Sequence, residues 1–405
     1  MDRCSRNIIF VLIFIFLIAL SAQASSAATA EDGTQIEWIK EYPADEIEIL
    51  SVCESSQGGY YAAGAGPEGR LVMRLDGSGD TLWKEYIPGS DANGSIKMVQ
   101  ESPPGGLILF ADDEDLLKTT DEAVFEWEFH QPFGKVNSVE AVPDGSGIMT
   151  GTYFQGFLTE VASNGTEAWN RTLGDPEGGG QYVLRSVQND PDGGFIIAGY
   201  INPIFTISDY RGFLMKTDSE GKMIWARQYS GNASGMILSV ACRPSGGYAV
   251  ARFQTLSGDD NTSITVPSVM FTDVDGEVTG TVDYDEYVSY VYHIENAGDE
   301  GYYLTGLSFG ESLEDDVYKI LRIDLSGKLM SEINLDDMKL NGFSATSDGG
   351  FLVAGVNYEG NTSLLIKYPG DTGTSTEQAP VFVLVPGFAL LGSIAIYAVS
   401  RKKSE

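Results

Sequence analysis

The sequence predicts an all-β fold. It reads as a seven-bladed β-propeller of four-stranded antiparallel blades, closed by an N-terminal strand that pairs in the last blade, plus a C-terminal transmembrane helix outside the ring. Three observations predict it. A Gly-Gly segment, or its equivalent, recurs seven times between short apolar runs. An Asp-x-x-Gly segment follows it in four copies and a tryptophan strand in four, the two together in two of them. The last copy lacks that strand, and the missing piece stands at the front of the chain as "TQIEWIKEYP", residues 34–43.

The first half of each unit is clearest in "RSVQNDPDGGFIIAGY" (185–200), "LSVCESSQGGYYAAGA" (50–65), "LSVACRPSGGYAVARF" (238–253) and "GFSATSDGGFLVAGVN" (342–357). Weaker copies are "KMVQESPPGGLILFAD" (97–112), "NSVEAVPDGSGIMTGT" (137–152) and "YHIENAGDEGYYLTGL" (292–307). The second half reads "LVMRLDGSGDTLWKEY" (71–86), "FLTEVASNGTEAWNRT" (157–172) and "FLMKTDSEGKMIWARQY" (213–229). "VMFTDVDGEVTGTVDY" (269–284) and "ILRIDLSGKLMSEINL" (320–335) keep the Asp and Gly without the Trp. "LLKTTDEAVFEWEF" (116–129) keeps Asp121 and Trp127 and reads as a shortened turn without the glycine. Short apolar runs bounded by Gly, Asp, Asn and Pro are strand–turn–strand signals, and glycine supplies the positive-φ positions of tight hairpins. Four strands per repeat of this length indicate a propeller, with a solenoid of sheets as the alternative.

The seventh unit contains "NGFSATS", "GFLVAGVNY" and "SLLIKY", then a polar linker at 370–380. Trp38 and Tyr42 match the spacing of Trp225 and Tyr229. An unclosed ring leaves sheet edges and apolar blade faces exposed. The N-terminal strand is therefore expected beside Leu364–Tyr368. Cys53 and Cys242 fall on the first strands of blades 1 and 5, one residue out of step, so a period of two puts them on opposite sheet faces as free thiols.

The flanks place the protein. Arg3 and Arg6, the uncharged run from Ile8 to Leu20 and the small residues to Ala30 have the parts of a signal peptide, with cleavage sites after Ala24, Ala28 or Ala30. Residues 381–400 are uncharged, long enough to span a bilayer as a helix, and followed by Arg401, Lys402 and Lys403, which belong on the cytoplasmic side. The expected organisation is a signal peptide (1–30), ectodomain (31–369), linker (370–380), transmembrane or sorting helix (381–400) and basic tail (401–405). The body is then extracytoplasmic, anchored to the outer face of the cell membrane. A net charge of −33 argues against nucleic acid as a partner, which needs basic patches.

Catalytic and metal motifs are sparse. With His130 and His293 the only histidines and no C-x-x-C, a His- or Cys-rich metal centre is not expected. Asp273, Asp275 and Glu277 in "DVDGE" echo the start of a calcium loop but lack its later bidentate Glu. A hairpin turn is the preferred reading there and at Asp76, Asp218 and Asp324; calcium is the one cofactor considered. No G-x-S-x-G elbow or zinc motif is present. The site reading rests on long strand 2–3 connections in blades 4 to 6: 201–212, 254–268 and 308–318. In a propeller these emerge beside the blade-to-blade connectors, forming one acidic rim where function tends to sit. Phe205, Tyr210 and Tyr318 are the candidates for stacking on a sugar or partner. Asp209, Arg211, Asp259, Asp260, Asp315 and Asp316 are the candidates for hydrogen bonding or holding a cation. Six N-glycosylation sequons fall on turns or strand edges: Asn93, Asn164, Asn170, Asn232, Asn261 and Asn361.

"DGGFIIAGY…FLMKTDSEGKMIWARQY" resembles the secreted β-propeller repeats of surface proteins from methanogenic archaea and some bacteria. Asp218, Gly221 and Trp225 are also similar to the tryptophan-docking repeat of quinoprotein-like propellers, which implies a Trp packed between neighbouring blades. The C-terminus, with Pro386, Gly387 and Phe388 before an apolar stretch and basic tail, resembles the PGF-type sorting signal; that implies recognition by an archaeosortase and a lipid replacing the helix. The expected function is non-catalytic: a surface-anchored propeller glycoprotein binding a cell-envelope protein or polysaccharide. The alternative is an extracellular carbohydrate-active enzyme, a hydrolase or lyase using carboxylates at the channel mouth.

Overall fold

The structure, a computed structural model, describes residues 28–29, 35–88, 94–103, 105–112, 114–174, 180–202, 210–229, 234–257, 263–310, 316–357 and 361–370. Seven four-stranded antiparallel sheets follow one another along the chain. Blade 1 is Glu48–Glu54, Tyr60–Gly66, Gly69–Leu75 and Thr81–Tyr86. Blade 2 is Ile96–Glu101, Leu107–Ala111, Asp115–Thr119 and Phe125–His130, and blade 3 is Lys135–Ala141, Gly147–Thr152, Gly156–Val161 and Glu167–Leu173. Blade 4 comprises Gln181–Asn189, Phe195–Asn202, Arg211–Thr217 and Met223–Tyr229, and blade 5 Ser234–Cys242, Tyr248–Ser257, Ser263–Thr272 and Val278–Asp283. Blade 6 comprises Tyr290–Asn296, Gly301–Ser308, Val317–Asp324 and Leu329–Leu335.

Blade 7 has Met338–Ala345, Phe351–Asn357 and Thr362–Tyr368, and its outermost strand is Trp38–Pro43. The register pairs Trp38 with Lys367 and Tyr42 with Ser363. The first strand of each blade packs against the first strand of the next, from blade 1 round to blade 7 and back to blade 1. The fold is a seven-bladed β-propeller. A two-residue ladder, Ala28–Thr29 on Gln35–Ile36, precedes the closing strand. Among the described residues no helix is long and apolar enough to cross a membrane. Residues 381–400, including Pro386, Gly387 and Phe388, lie outside the described residues.

The apolar core is divided into seven slabs, one per blade–blade interface. Strand alternation produces this, because a blade's two faces each meet a neighbour and both must be apolar. The closing strand shows the principle: Trp38 and Tyr42 pack with Leu352, Ala354 and Leu365 of blade 7 against Ile49, Tyr60 and Met73 of blade 1. Cys53 joins the slab between blades 1 and 2, and Cys242 the slab between blades 4 and 5. Both are free, on opposite sheet faces as expected. Burial pushes each thiol up to about 12, so neither is a nucleophile at neutral pH.

Every first strand carries a bulge that the sequence reading did not find. The register slips by one between Ile49 and Ser51, Ile96 and Met98, Val136 and Ser138, Leu184 and Ser186, Ile237 and Ser239, Val291 and His293, and Leu340 and Gly342. A bulge bends the strand and increases its twist, which suits a strand wrapped round an axis. The serine after the bulge has a second role. Ser51, Ser138 and Ser239 Oγ accept the Val99, Val187 and Ile294 amides of the following blade.

Candidate binding face

The first strand of a blade runs from the face that carries the blade-to-blade connectors to the opposite face, which holds the 1–2 and 3–4 turns. The two faces differ in what remains for a ligand.

On the turn face many polar groups are spent within the turns themselves. In the first turn of blade 1, Ser55 N donates to Gly59 O (3.0 Å) and Gly58 N to Ser55 O (2.9 Å). Gly58 sits at φ +84°, and a Cβ on Gly59 would lie 2.3 Å from Leu75 O. The paired glycines therefore answer two demands, a left-handed backbone and a close approach to the third strand. In the second turn, Asp76 Oδ1 accepts from Ser78 N and Asp80 N, both at 2.9 Å. Asp218, Asp273 and Asp324 cap their own turns in the same way. Of the residues that suggested calcium, Asp273 thus accepts backbone amides and Glu277 Oε1 meets Arg227 Nη1 at 2.8 Å. Among the described residues no group of three or more His, Cys, Asp or Glu side chains is placed to hold a metal ion.

The blade 2 turn corrects the sequence reading. It is not shortened: Thr120 N donates to Val124 O and Ala123 N to Thr120 O, as in the other turns. Thr120, not Asp121, stands in the capping position, its Oγ1 accepting from Glu122 N and Val124 N. Ala123 replaces the glycine at φ +58°. Asp121 instead accepts from Gly106 N and from Gln57 Nε2 (3.1 Å), tying the turn to its neighbours. The tryptophans dock as the resemblance implied. Trp38 Nε1 donates to Gly77 O of blade 1 (3.1 Å) and Trp127 Nε1 to Ser163 O of blade 3 (2.9 Å).

A further repeated position escaped the sequence reading. One residue before the end of strand 3 stands a cation in four blades, Arg74, Lys118, Lys216 and Lys367, and in blade 6 Arg322 stands two before the end. Lys367 is 1% exposed and its Nζ reaches Asp348 Oδ2 and Tyr368 O, both at 2.8 Å. Lys216 sits 3.0 Å from both Asp190 and Asp192. The signal was a basic residue two positions ahead of Asp76, Asp218 and Asp324, which reads as ordinary surface alternation until burial is known.

The connector face is different. Tyr210 and Arg211 enter strand 3 of blade 4, where Tyr210 is half-buried edge-on to Tyr200 at 5.6 Å and its carbonyl accepts from Gly235 N. Asp316 Oδ1 accepts from Gly310 N at 3.0 Å, and Tyr318 is half-buried against the blade 6–7 slab. Phe205, Asp209, Asp259, Asp260 and Asp315 lie outside the described residues, as do Asn93, Asn232 and Asn261. The 254–268 segment corrects another expectation. It is mostly strand, with Gln254 to Ser257 paired to Val266 to Ser263, a hairpin prolonged beyond its blade. Of the other sequons, Asn164 is exposed, with Oδ1 accepting from Thr166 Oγ1 (2.8 Å). Asn170 is exposed and donates through Nδ2 to Thr159 Oγ1 (2.7 Å), and Asn361 is exposed at φ +47°.

Two aromatic groups stand on this face. Phe253, Tyr290, Tyr292 and Phe309 meet at blades 5 and 6, with Phe253 4.7 Å from Tyr290 and Phe309 5.6 Å from it. At blades 2 and 3, Phe133, Tyr153 and Phe154 are 65%, 50% and 76% exposed. The second group was missed because it sits on short connections, whereas the sequence reading followed loop length. "HQPFGK" and "TYFQG" were its signal: aromatic residues inside polar, glycine-bearing turns.

Along the central channel a polar chain joins blades 2, 3 and 4. Glu140 Oε2 accepts from Gln100 Nε2 (3.2 Å) and its Oε1 from Asn189 Nδ2 (2.9 Å). Burial pushes the Glu140 carboxyl up to about 7, helped by Glu295 and opposed by these two hydrogen bonds. The folded protein therefore holds this proton more tightly than the unfolded chain. Glu140 destabilises the ring progressively as pH rises from the ordinary carboxylate range to about 7, by up to about 3 kcal/mol. Glu140→Gln is expected to remove this pH dependence, raising Tm at pH 8 but hardly at pH 4.5. Thermal melts at both pH values check it; an equal shift at both would dismiss the titration.

Solved structures share the fold. The WD40 β-propeller domain of Doa1 superposes with a TM-score of 0.56 at 15% identity, over 82% of this chain and 96% of that one. The Dos1 propeller superposes with a TM-score of 0.52 at 13% identity, over 82% and 95%. Neither a family model nor a curated protein matches the sequence.

Proposed function

We propose that the protein is a non-catalytic binding propeller, anchored to the outer face of the cell membrane, that presents its connector face to a protein or polysaccharide of the cell envelope. One observation carries this reading. The closing strand enters at Trp38, in register with Lys367, and the third strand of blade 7 ends one residue later at Tyr368, so both open onto the turn face. A tail leaving after residue 370 and anchored through residues 381–400, as a helix or through a lipid replacing it, holds the turn face toward the membrane. The connector face, with its exposed aromatic rings, then points away.

The likeness to propellers such as a WD40 domain supports a binding or scaffold role. The enzyme alternative gains nothing from Glu140, whose two oxygens are both occupied within the wall. Two measurements test the reading. The full chain is expected to fractionate with membranes and to be released by truncation after residue 370. It is also expected to retain an envelope protein or polysaccharide, with and without calcium, and to lose it on connector-face substitution but not turn-face substitution. A full chain that stays in the soluble fraction, or binds no envelope component, would dismiss the reading.

A further inference from the structure

We infer that Phe133, Tyr153 and Phe154 form a stacking site for an uncharged polysaccharide at the junction of blades 2 and 3. The inference rests on the binding reading above and names the ligand class for one part of the face.

The rings are mutually positioned. Tyr153 lies 4.3 Å from Phe154 at an interplanar angle of 64°, and 6.0 Å from Phe133 at 39°. The backbone beneath them is held. Tyr153 N donates to Gln155 O at 2.9 Å, closing the 2–3 turn. Gln131 Nε2 donates to Phe133 O (3.2 Å), and Gln181 Nε2 to Tyr153 O. Gly134 lies at φ +92°, where a Cβ would stand 2.9 Å from both the Phe157 ring and Thr152 O. Glycine there lets the Phe133 turn lie directly on the Tyr153 turn. Rings fixed before a ligand arrives lose little conformational entropy on binding it.

The charge around them selects the ligand. The two turns, residues 131–134 and 152–155, contain no charged side chain in a protein of net charge −33. The adjacent Glu114 is turned inward, its Oε2 accepting from Val136 N (2.5 Å). A polyanion is repelled by the whole molecule, and a basic segment finds no carboxylate within these turns to pair with. An uncharged polysaccharide needs neither: its C–H faces pack on aromatic rings, and its hydroxyls suit amides such as Gln155. Exposed aromatic clusters of this kind mark interaction sites.

The test is affinity electrophoresis of the full chain through gels containing a neutral glucan, mannan or galactan, with polygalacturonate as the charged control. At least one neutral polymer is expected to retard the protein. Phe133→Ala and Phe154→Ala should each weaken this about tenfold, as loss of an aromatic stacking contact does. Tm should be unchanged, because both side chains are exposed. Leu256→Ser on the blade 5 hairpin should leave retardation intact.

Retardation by the charged polymer alone, by no polymer, or equally in the Phe133→Ala/Phe154→Ala double variant would overturn the inference. So would capture of an envelope protein that these two substitutions abolish. An envelope partner lost only on substitution at blades 5 and 6 would overturn this site while sparing the binding reading. Failure to bind any envelope component would remove both.

Discussion

Deleting Ile36–Tyr42 is expected to abolish cooperative folding of the whole ring. The deletion removes five of the six ladder pairs, from Trp38↔Lys367 to Tyr42↔Ser363, together with the Glu37 amide bond to Lys367 O (2.9 Å). It also removes Trp38, which stacks 5.6 Å from Tyr60 and donates to Gly77 O, and Lys40, which pairs with Asp80 at 2.6 Å. Trp38 and Tyr42 are each partly buried, and truncating a fully buried large aromatic costs about 3–5 kcal/mol. Trp38 and Tyr42 together with the lost ladder approach the ~5–15 kcal/mol margin of a typical folded protein.

The exposed edge of Thr362–Tyr368 would then be open to pairing with other chains. The expected result is a broad, low-temperature transition with aggregation. Trp38→Ala alone should leave a folded ring with Tm lower by several degrees. A synthetic peptide spanning residues 35–44 should partly restore the deletion variant by strand addition. A deletion variant that melts cooperatively within a degree of the parent would refute the closing role.

Arg70→Ala is expected to give the largest loss among single substitutions, about 3–5 kcal/mol, which is the usual penalty for orphaning a buried charge. Arg70 is 1% exposed. Its Nη2 lies 2.6 Å from Asp115 Oδ2 and its Nη1 2.7 Å from Glu128 Oε1, so one guanidinium bolts blade 1 to two strands of blade 2. Asp115 is also buried, and its second oxygen meets His130 Nδ1 at 2.7 Å. Without the cation, the buried Asp115 carboxylate keeps His130 as a partner but loses the one that ties it to blade 1.

Replacing the group by apolar residues, Arg70→Met with Asp115→Leu and Glu128→Leu, should recover much of the loss, because the desolvation of all three charges disappears together. Denaturant melts of the single and triple variants at pH 7 measure the loss and its recovery. A single variant within about 1 kcal/mol of the parent at pH 7, the scale of exposed ion pairs, would show the pair to be dispensable.

How much of this was legible beforehand varied with range. The seven repeats, the four strands per blade and the source of the missing strand were all readable. Each depends on short-range chemistry: glycine where φ is positive, Asp where a turn needs a cap, alternation where both sheet faces are covered. The cysteine separation followed from the period of two and a single offset residue. Three features did not emerge. The bulges were invisible because an extra residue in a strand leaves no compositional mark. The blade 2 turn was misread because Thr120 and Ala123 do the work of Asp and Gly by other means, a hydroxyl cap and a strained alanine. The Arg70 cluster joins residues up to 58 positions apart, a proximity that no local pattern reports.

The candidate site divides along the same line. Loop length pointed to blades 4 to 6, and the connector face is indeed where the 2–3 connections meet the blade junctions. Exposure is a property of the assembled surface. Phe133, Tyr153 and Phe154 stand in the same kinds of turn as rings that end up buried, and only the seating of blade 3 against blade 2 leaves them outside. The number of blades and the way the ring closes are written in the repeats, because both follow from the backbone and side-chain demands of each unit. Which polar and aromatic groups are already spent on neighbouring blades, and which remain for a partner, emerges with the packed ring, because it depends on contacts between segments distant in the chain.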